Sequence, residues 1–277
     1  MSLIRKIAKL NILALSEYLR RDRVHPQNGL SSAEIGRLQR FPDFAEGQAD
    51  FFGRPFSFSH ARSFLHSVTE IFEEEIYRFV PKNESPYIID CGANIGVSIL
   101  YFSRRHPGAE IVAFEPDRRL FEMLKRNLKR FSLHQISLFN TAAWHSDGKA
   151  IFFEEGALAG SMVVDYSGEN RKVNIETTDL RKFLKRRVDF LKIDIEGAEN
   201  ELIFHLRDLL PNVENIFLEY HGIKGQPQQL GEILNLFKDA GFSYYIRQAA
   251  EVSRYPFVSG GKSIFNQQLN IFCTKRF

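Results

Sequence analysis

Tyr87-Ile-Ile-Asp-Cys-Gly-Ala-Asn-Ile-Gly96 is the stretch whose reading decides the fold. Its first five residues are apolar except for Asp90, a run of the length and continuity of a strand buried on both faces. Gly92 and Gly96 then break the run, and Val97-Ser-Ile-Leu-Tyr-Phe102 opens a helix. Nineteen residues after Gly96, Glu115 arrives at the end of the next apolar run, Ile111-Val-Ala-Phe114. Strand, glycine turn, helix, and a second strand ending in a carboxylate are the parts of a nucleotide-type site at the carboxyl edge of a parallel sheet.

Outward from this stretch the chain alternates between the two periods. Strands are expected over 87–91, 110–114, 135–139, 188–193, 214–220, 242–247 and 269–275, and helices over 96–105, 118–130, 178–186, 198–209 and 227–240. The segment 148–177 departs from the pattern, with short runs at 150–153, 162–164 and 173–175 that read as a small antiparallel insertion. The connection after Gly241 holds no helix of useful length, so the last strand is expected to be antiparallel at the far side of the sheet. The fold class is therefore α/β, a doubly wound seven-stranded sheet.

Residues 1–80 form a helical and loop-rich extension, an acceptor lid or oligomer contact, and 81–277 the main domain. Residues 2–21 place Leu3, Ile7, Leu10 and Ala14 on one stripe of a basic helix. Such a helix packs on a domain or a second subunit, or lies on an anionic membrane surface. Residues 22–60 carry seven glycines and prolines and read as a connector with one helix starting at Ser31 or Ser32, where Glu34 supplies a capping-box partner. A further helix is expected over 66–79. Phe51, Phe52 and Phe56 are read as packing, with stacking on a sugar face as the alternative.

Charge argues against one large class of partner. Six of the eight charged residues among the first 23 are basic, which leaves 31 basic against 32 acidic side chains in the rest of the chain. A body so close to neutral gives little encouragement to nucleic-acid binding, which needs a clustered basic face. The two cysteines, Cys91 and Cys273, lack a partner at metal spacing and fit a reducing cytoplasm. No apolar run approaches the roughly 18 residues that cross a bilayer.

A dinucleotide fingerprint needs glycine wherever backbone meets pyrophosphate. In Gly92-Ala93-Asn94-Ile-Gly96 the middle position is Asn94, whose amide occupies that space. The turn thus suits a ribose-bearing ligand without phosphates, of which S-adenosylmethionine is one. Asp90 is positioned to receive its ammonium and Glu115 its ribose hydroxyls. Pro116 turns the chain so that Glu115 stays at the edge, and Asp117 caps the helix that starts at Arg118.

Leu191-Lys-Ile-Asp-Ile-Glu-Gly-Ala-Glu199 repeats the strand-to-helix arrangement. Phe190, Lys192 and Asp194 share one strand face. Asp194 emerges beside the glycine turn, and Lys192 is read as neutralising a neighbouring carboxylate. Glu196 and Glu199 lie in or before the first helical turn, where the helix dipole favours acids, and Glu199 is read as structural.

These motifs, with Leu218-Glu-Tyr-His221, occur in the order in which the FkbM family of S-adenosylmethionine-dependent methyltransferases has them, and over residues 87–275 the chain resembles that family. The resemblance implies the Rossmann-like class I methyltransferase fold and O-methylation of a hydroxyl on a sugar or secondary metabolite. The cofactor set is then Asp90, Gly92, Ala93, Asn94, Gly96, Glu115, Pro116 and Asp194, and the catalytic set His221, Asp194 and Glu219. His221 is placed just after its strand as a general base, with Glu219 on the same face. A divalent ion on Asp194, Glu196 and Glu219 is the second route, and no metal ligand is assigned. A nicotinamide-dependent oxidoreductase, with Arg118 or Arg119 on a 2′-phosphate, and a non-catalytic S-adenosylmethionine-binding protein are the alternatives. The acceptor is a small molecule or a glycan, and a homo-oligomer is allowed.

Overall fold

The computed structural model describes residues 24–154, 160–161, 172–254, 257–258 and 263–275. The helix expected over 2–21 and the strand expected over 162–164 lie outside them. The chain divides into two units, one ending at Ile76 and the other running from Tyr77.

The first unit contains more regular structure than its glycines and prolines suggest. Helix α1 (Ser32–Gln39) starts at Ser31, whose hydroxyl accepts the Glu34 N–H at 3.1 Å. The capping box is only half made, because the Glu34 carboxylate turns to Arg37 and to the Asp50 N–H. Strands β1 (Gly47–Phe51) and β2 (Arg54–Phe58) form a hairpin where a connector was expected. Its two-residue turn is Phe52-Gly53, both at positive φ (49° and 73°), the twist a tight hairpin requires. Phe in place of the usual Asn hid the turn. Helix α2 (Ala61–Val68) continues through a π turn to Glu73, earlier than the helix expected over 66–79. Phe51 and Phe56 are fully buried, and Phe51 meets Phe56, Phe64 and Phe72 edge-on at 5.3–5.4 Å between ring centres. These rings are core, as the packing reading had it.

The second unit is built on a seven-stranded sheet. In chain order its strands are β3 (Tyr87–Cys91), β4 (Glu110–Phe114), β5 (Ile136–Phe139), β10 (Phe190–Ile193), β11 (Asn215–Ile223), β12 (Ser243–Gln248) and β13 (Phe265–Thr274). They lie in the order β12-β13-β11-β10-β3-β4-β5. Helices α3 (Val97–Arg105) and α4 (Arg118–Arg130) carry β3 to β4 and β4 to β5. The chain then returns to the other side of β3 through β10, parallel to it, so the topological switch point lies between β3 and β10.

Four expectations change. The segment 178–186 holds one 3-10 turn, Leu180–Lys182, in place of a helix. The helix expected over 198–209 is the shorter α5 (Glu199–His205), and α6 spans Leu230–Asp239. The last strand, β13, is antiparallel as expected, but it slots between β11 and β12 and leaves β12 as the edge. The insertion is larger than 148–177: β6 (Ala142–Trp144), β7 (Gly148–Glu154), β8 (Gly160–Ser161) and β9 (Lys172–Asp179) form a second sheet of order β6-β9-β7-β8. β6 pairs parallel to β9, a long-range match that no local pattern announces.

Candidate active site

The glycine turn works through contacts rather than flexibility. Gly92 sits at φ 89°, and a Cβ there would overlap the Asp194 carbonyl oxygen, so the ends of β3 and β10 approach as closely as backbone allows. The N–H groups of Gly92 and Ala93 both donate to the Phe114 carbonyl, at 3.0 and 2.9 Å, which ties the turn to the end of β4. Gly96 faces α4, where a Cβ would press on Leu124. Ala93 and Gly96 therefore shape the turn and stay off the cavity wall.

That cavity, of about 620 Å³ with its open mouth, is lined by Gly92, Asn94, Glu115, Pro116, Asp194 and Glu196 among others. Five of the eight residues assigned to the cofactor are on this wall. Ala142, Ala143 and Phe152 of the second sheet add an apolar side. Glu115 is held from two directions: the Asn94 N–H donates to Oε2 at 2.8 Å and the Asp117 N–H to Oε1 at 2.9 Å. Burial pushes its carboxyl up to about 8, against the pull of those two donors. Asp117 caps α4 as expected, accepting the N–H groups of Arg119 and Leu120.

Asp90 is a correction. It is 0% exposed and absent from the cavity wall, with one oxygen 3.1 Å from the Lys192 ammonium and the other accepting the Ser98 hydroxyl at 2.6 Å. Its partners in the structure are thus Lys192 and Ser98. The pair arises because β10 and β3 align Lys192 with Asp90 in register. Lys192 also reaches Asp194 at 3.3 Å and donates to the Gly92 carbonyl at 2.7 Å. Burial opposes its charge, yet Asp90 and Asp194 hold the ammonium well above the ordinary lysine value. The buried Tyr77 phenol, raised well above its usual value by burial, lies within electrostatic reach of the same groups and was not singled out from sequence.

His221 is the second correction. It is not in a loop after its strand but inside β11, 1% exposed, opposite Gln268 of β13. Glu199, 0% exposed, is more than a helix-start acid. Its Oε1 accepts the His221 N–H at 2.6 Å and lies 3.0 Å from Nδ1, while Oε2 accepts the Gly197 N–H at 2.7 Å. Nε2 of His221 points the other way, to Glu196 at 3.5 Å and Glu219 at 3.6 Å. Burial works against a charged imidazole here, but Glu199 outweighs it, with Glu196 and Glu219, and holds His221 well above its ordinary value. Ligand atoms of Asp194, Glu219 and His221 all lie within 4.8 Å of one another. Asp194 and Glu196 belong to both places, so the cluster opens directly on the cavity.

A cavity at a strand switch point, a carboxylate beside a glycine turn, and an acid–imidazole cluster next to both are the parts of a ligand site in an α/β fold. Residues 90–244, more than half of the chain, match the model of the Methyltransferase FkbM domain, and the chain belongs to that family. It is a methyltransferase, and the family's methyl donor is S-adenosylmethionine. The oxidoreductase alternative falls with that membership.

Among similar proteins, Methyltransferase 1 of Beauveria bassiana is 27% identical over 187 residues, covering 58% of this chain and 74% of its own. The 31-O-demethyl-FK506 methyltransferase of Streptomyces tacrolimicus is 23% identical over 215 residues, covering 65% and 82%. The crystal structure of methyltransferase FkbM from Methylobacillus flagellatus superposes with a TM-score of 0.47 at 18% identity, over 72% of this chain and 46% of that one. Among the described residues no helix is long and apolar enough to cross a membrane. Cys91 and Cys273 are both free and buried.

Proposed function

We propose that this chain transfers a methyl group from S-adenosylmethionine to a hydroxyl oxygen of a small molecule or glycan. The observation that carries the reading is the junction of the two places: a cavity bordered by Glu115 and a cluster of Asp194, Glu219 and His221 that shares a wall with it. The relative whose name specifies a 31-O position supports oxygen as the acceptor atom.

The cavity residues fit the donor. The wall is apolar on the Phe152 side, and Glu115 offers a buried carboxyl to paired hydroxyls. When bound, S-adenosylmethionine supplies an electrophilic methyl on a sulfonium centre. Gly92 keeps the wall flat where β3 and β10 meet, and Asn94 closes it at the position a pyrophosphate would need. Glu115 holds the ribose. Asp194, at the shared wall, places a negative charge beside the reacting end.

The acceptor hydroxyl must be held near the methyl, which alone contributes much of the rate, and must lose its proton. The cluster of Asp194, Glu219 and His221 is the acceptor side of the site, and the proton leaves there. Calorimetric titration with S-adenosylmethionine, S-adenosylhomocysteine and NAD(P) tests the donor half, with binding expected for the first two. Incubation with hydroxyl-bearing acceptors, read by NMR of the product, tests the other half. A methyl group found on nitrogen or carbon would sink the oxygen assignment.

A further inference from the structure

We propose that Asp194, Glu219 and His221 hold one divalent cation of mixed nitrogen and oxygen preference, such as Mn²⁺, Co²⁺ or Zn²⁺, at the acceptor side of the cavity. The cation site stands on the geometry below. Its role in methyl transfer rests on the function proposed above.

Three ligand atoms from two neighbouring strand ends converge within 4.8 Å of one another. Metal–ligand bonds of roughly 2.0–2.2 Å close such a triangle with side-chain rotations alone. The second observation is the imidazole itself. It is 1% exposed, its Nδ1 is 3.0 Å from Glu199, and its Nε2 faces the carboxylate oxygens of Glu196 and Glu219 at 3.5 and 3.6 Å. A cation that replaced the Nε2 proton would sit among those carboxylates. An imidazole whose other nitrogen is bound to a carboxylate is the arrangement that orients histidine toward a metal. Glu199 is fixed in turn by two backbone donors, so the imidazole has one orientation.

Charge points the same way. Asp90, Asp194, Glu196, Glu199 and Glu219 gather around Lys192 and His221, five acids to two bases. Asp194 and Glu219 are about a quarter exposed (26% and 25%), so the ion would keep coordination positions open toward the cavity. One imidazole with two carboxylates favours transition-metal dications over Ca²⁺ or Mg²⁺. A hydroxyl binding at an open position loses its proton more readily, the proton passing to water.

The test is Mn²⁺ binding to the full chain after chelator treatment, followed by calorimetry and by electron paramagnetic resonance of ¹⁵N-histidine-labelled protein. One saturable site per chain is expected, with hyperfine coupling to one histidine nitrogen. Glu219→Gln and Asp194→Asn should each weaken it about tenfold or more, with the fold checked by circular dichroism. No saturable binding of Mn²⁺, Co²⁺ or Zn²⁺ at millimolar concentration overturns the site, as does binding that both variants leave unchanged. A bound cation without methyl transfer to any hydroxyl would sink the functional reading and leave the site standing. Methyl transfer by a chain that binds no cation would do the reverse.

Discussion

The two halves of this site lie at one edge of one sheet but are assembled in opposite ways. The polar wall of the donor half, from Gly92 to Asp117, is made by chain that is close in sequence. The turn after β3 hangs on the Phe114 carbonyl, and Glu115 is clasped by Asn94 and Asp117. The acceptor half joins Asp194 and Glu196 from the end of β10, Glu199 from α5 and Glu219 with His221 from β11. It exists only because β13 pairs with β11 as far as Ile223, five residues beyond Leu218, where the pairing with β10 ends. A local motif gives a rigid cradle, whereas a long-range ladder buries a histidine that would otherwise sit in a loop.

The largest effect should come from Gly92→Ala, the position where the halves touch. A methyl against the Asp194 carbonyl, at φ 89°, combines overpacking with left-handed strain, and a loss of about 3–5 kcal/mol is expected in chemical denaturation. A smaller loss, under about 1 kcal/mol, would mean that the strand ends part easily and the two halves are independent.

Glu199→Ala probes the acceptor half alone. It strips a buried partner from His221 and from two backbone donors, and breaking such a pair costs about 3–5 kcal/mol. Calorimetric affinity for S-adenosylmethionine should fall far less than stability does. Equal losses would contradict the division into halves.

Glu115→Gln probes the donor half. Losing a charged acceptor for two hydroxyls should lower cofactor affinity about 10–100-fold, by titration calorimetry. The pH dependence follows from the direction of the shift. The folded apo protein keeps the Glu115 proton up to about pH 8, whereas the unfolded chain loses it near 4.5. This group's contribution to apo stability is thus complete below about 4.5 and is lost as pH rises through about 8. Ribose hydroxyls donate to the carboxylate form, so binding releases a proton in that window. Affinity should climb with pH, by up to about tenfold per unit, and flatten above about 8. Calorimetry in buffers of different ionisation heat reads the released proton, and Glu115→Gln should abolish it.

The smallest effect belongs to Asp117→Ala, which removes only a helix cap. About 1 kcal/mol of stability should go, with cofactor affinity nearly unchanged.

Legibility followed the same divide. Gly92, Asn94, Glu115 and Pro116 could be placed on the cavity wall from spacing alone, because turn, strand end and cap are separated by few residues. Asp90 could not, since its partner Lys192 lies 102 residues away and is brought in by strand register. The hairpin at Phe52-Gly53 and the sheet containing β6 were missed for related reasons: an unusual turn residue in one, a distant parallel partner in the other.

The sequence by itself determined the alternating architecture, the glycine turn, the carboxylate that follows it and the family to which they belong. These depend on periodicity and on backbone constraints that act over a few residues. Only the tertiary structure decided that Asp90 is buried against Lys192, that Glu199 orients His221, and that His221 is buried with Asp194 and Glu219 around one point. Those outcomes depend on which strands pair and how far, and pairing is set by burial of the whole sheet, which no short stretch of chain contains.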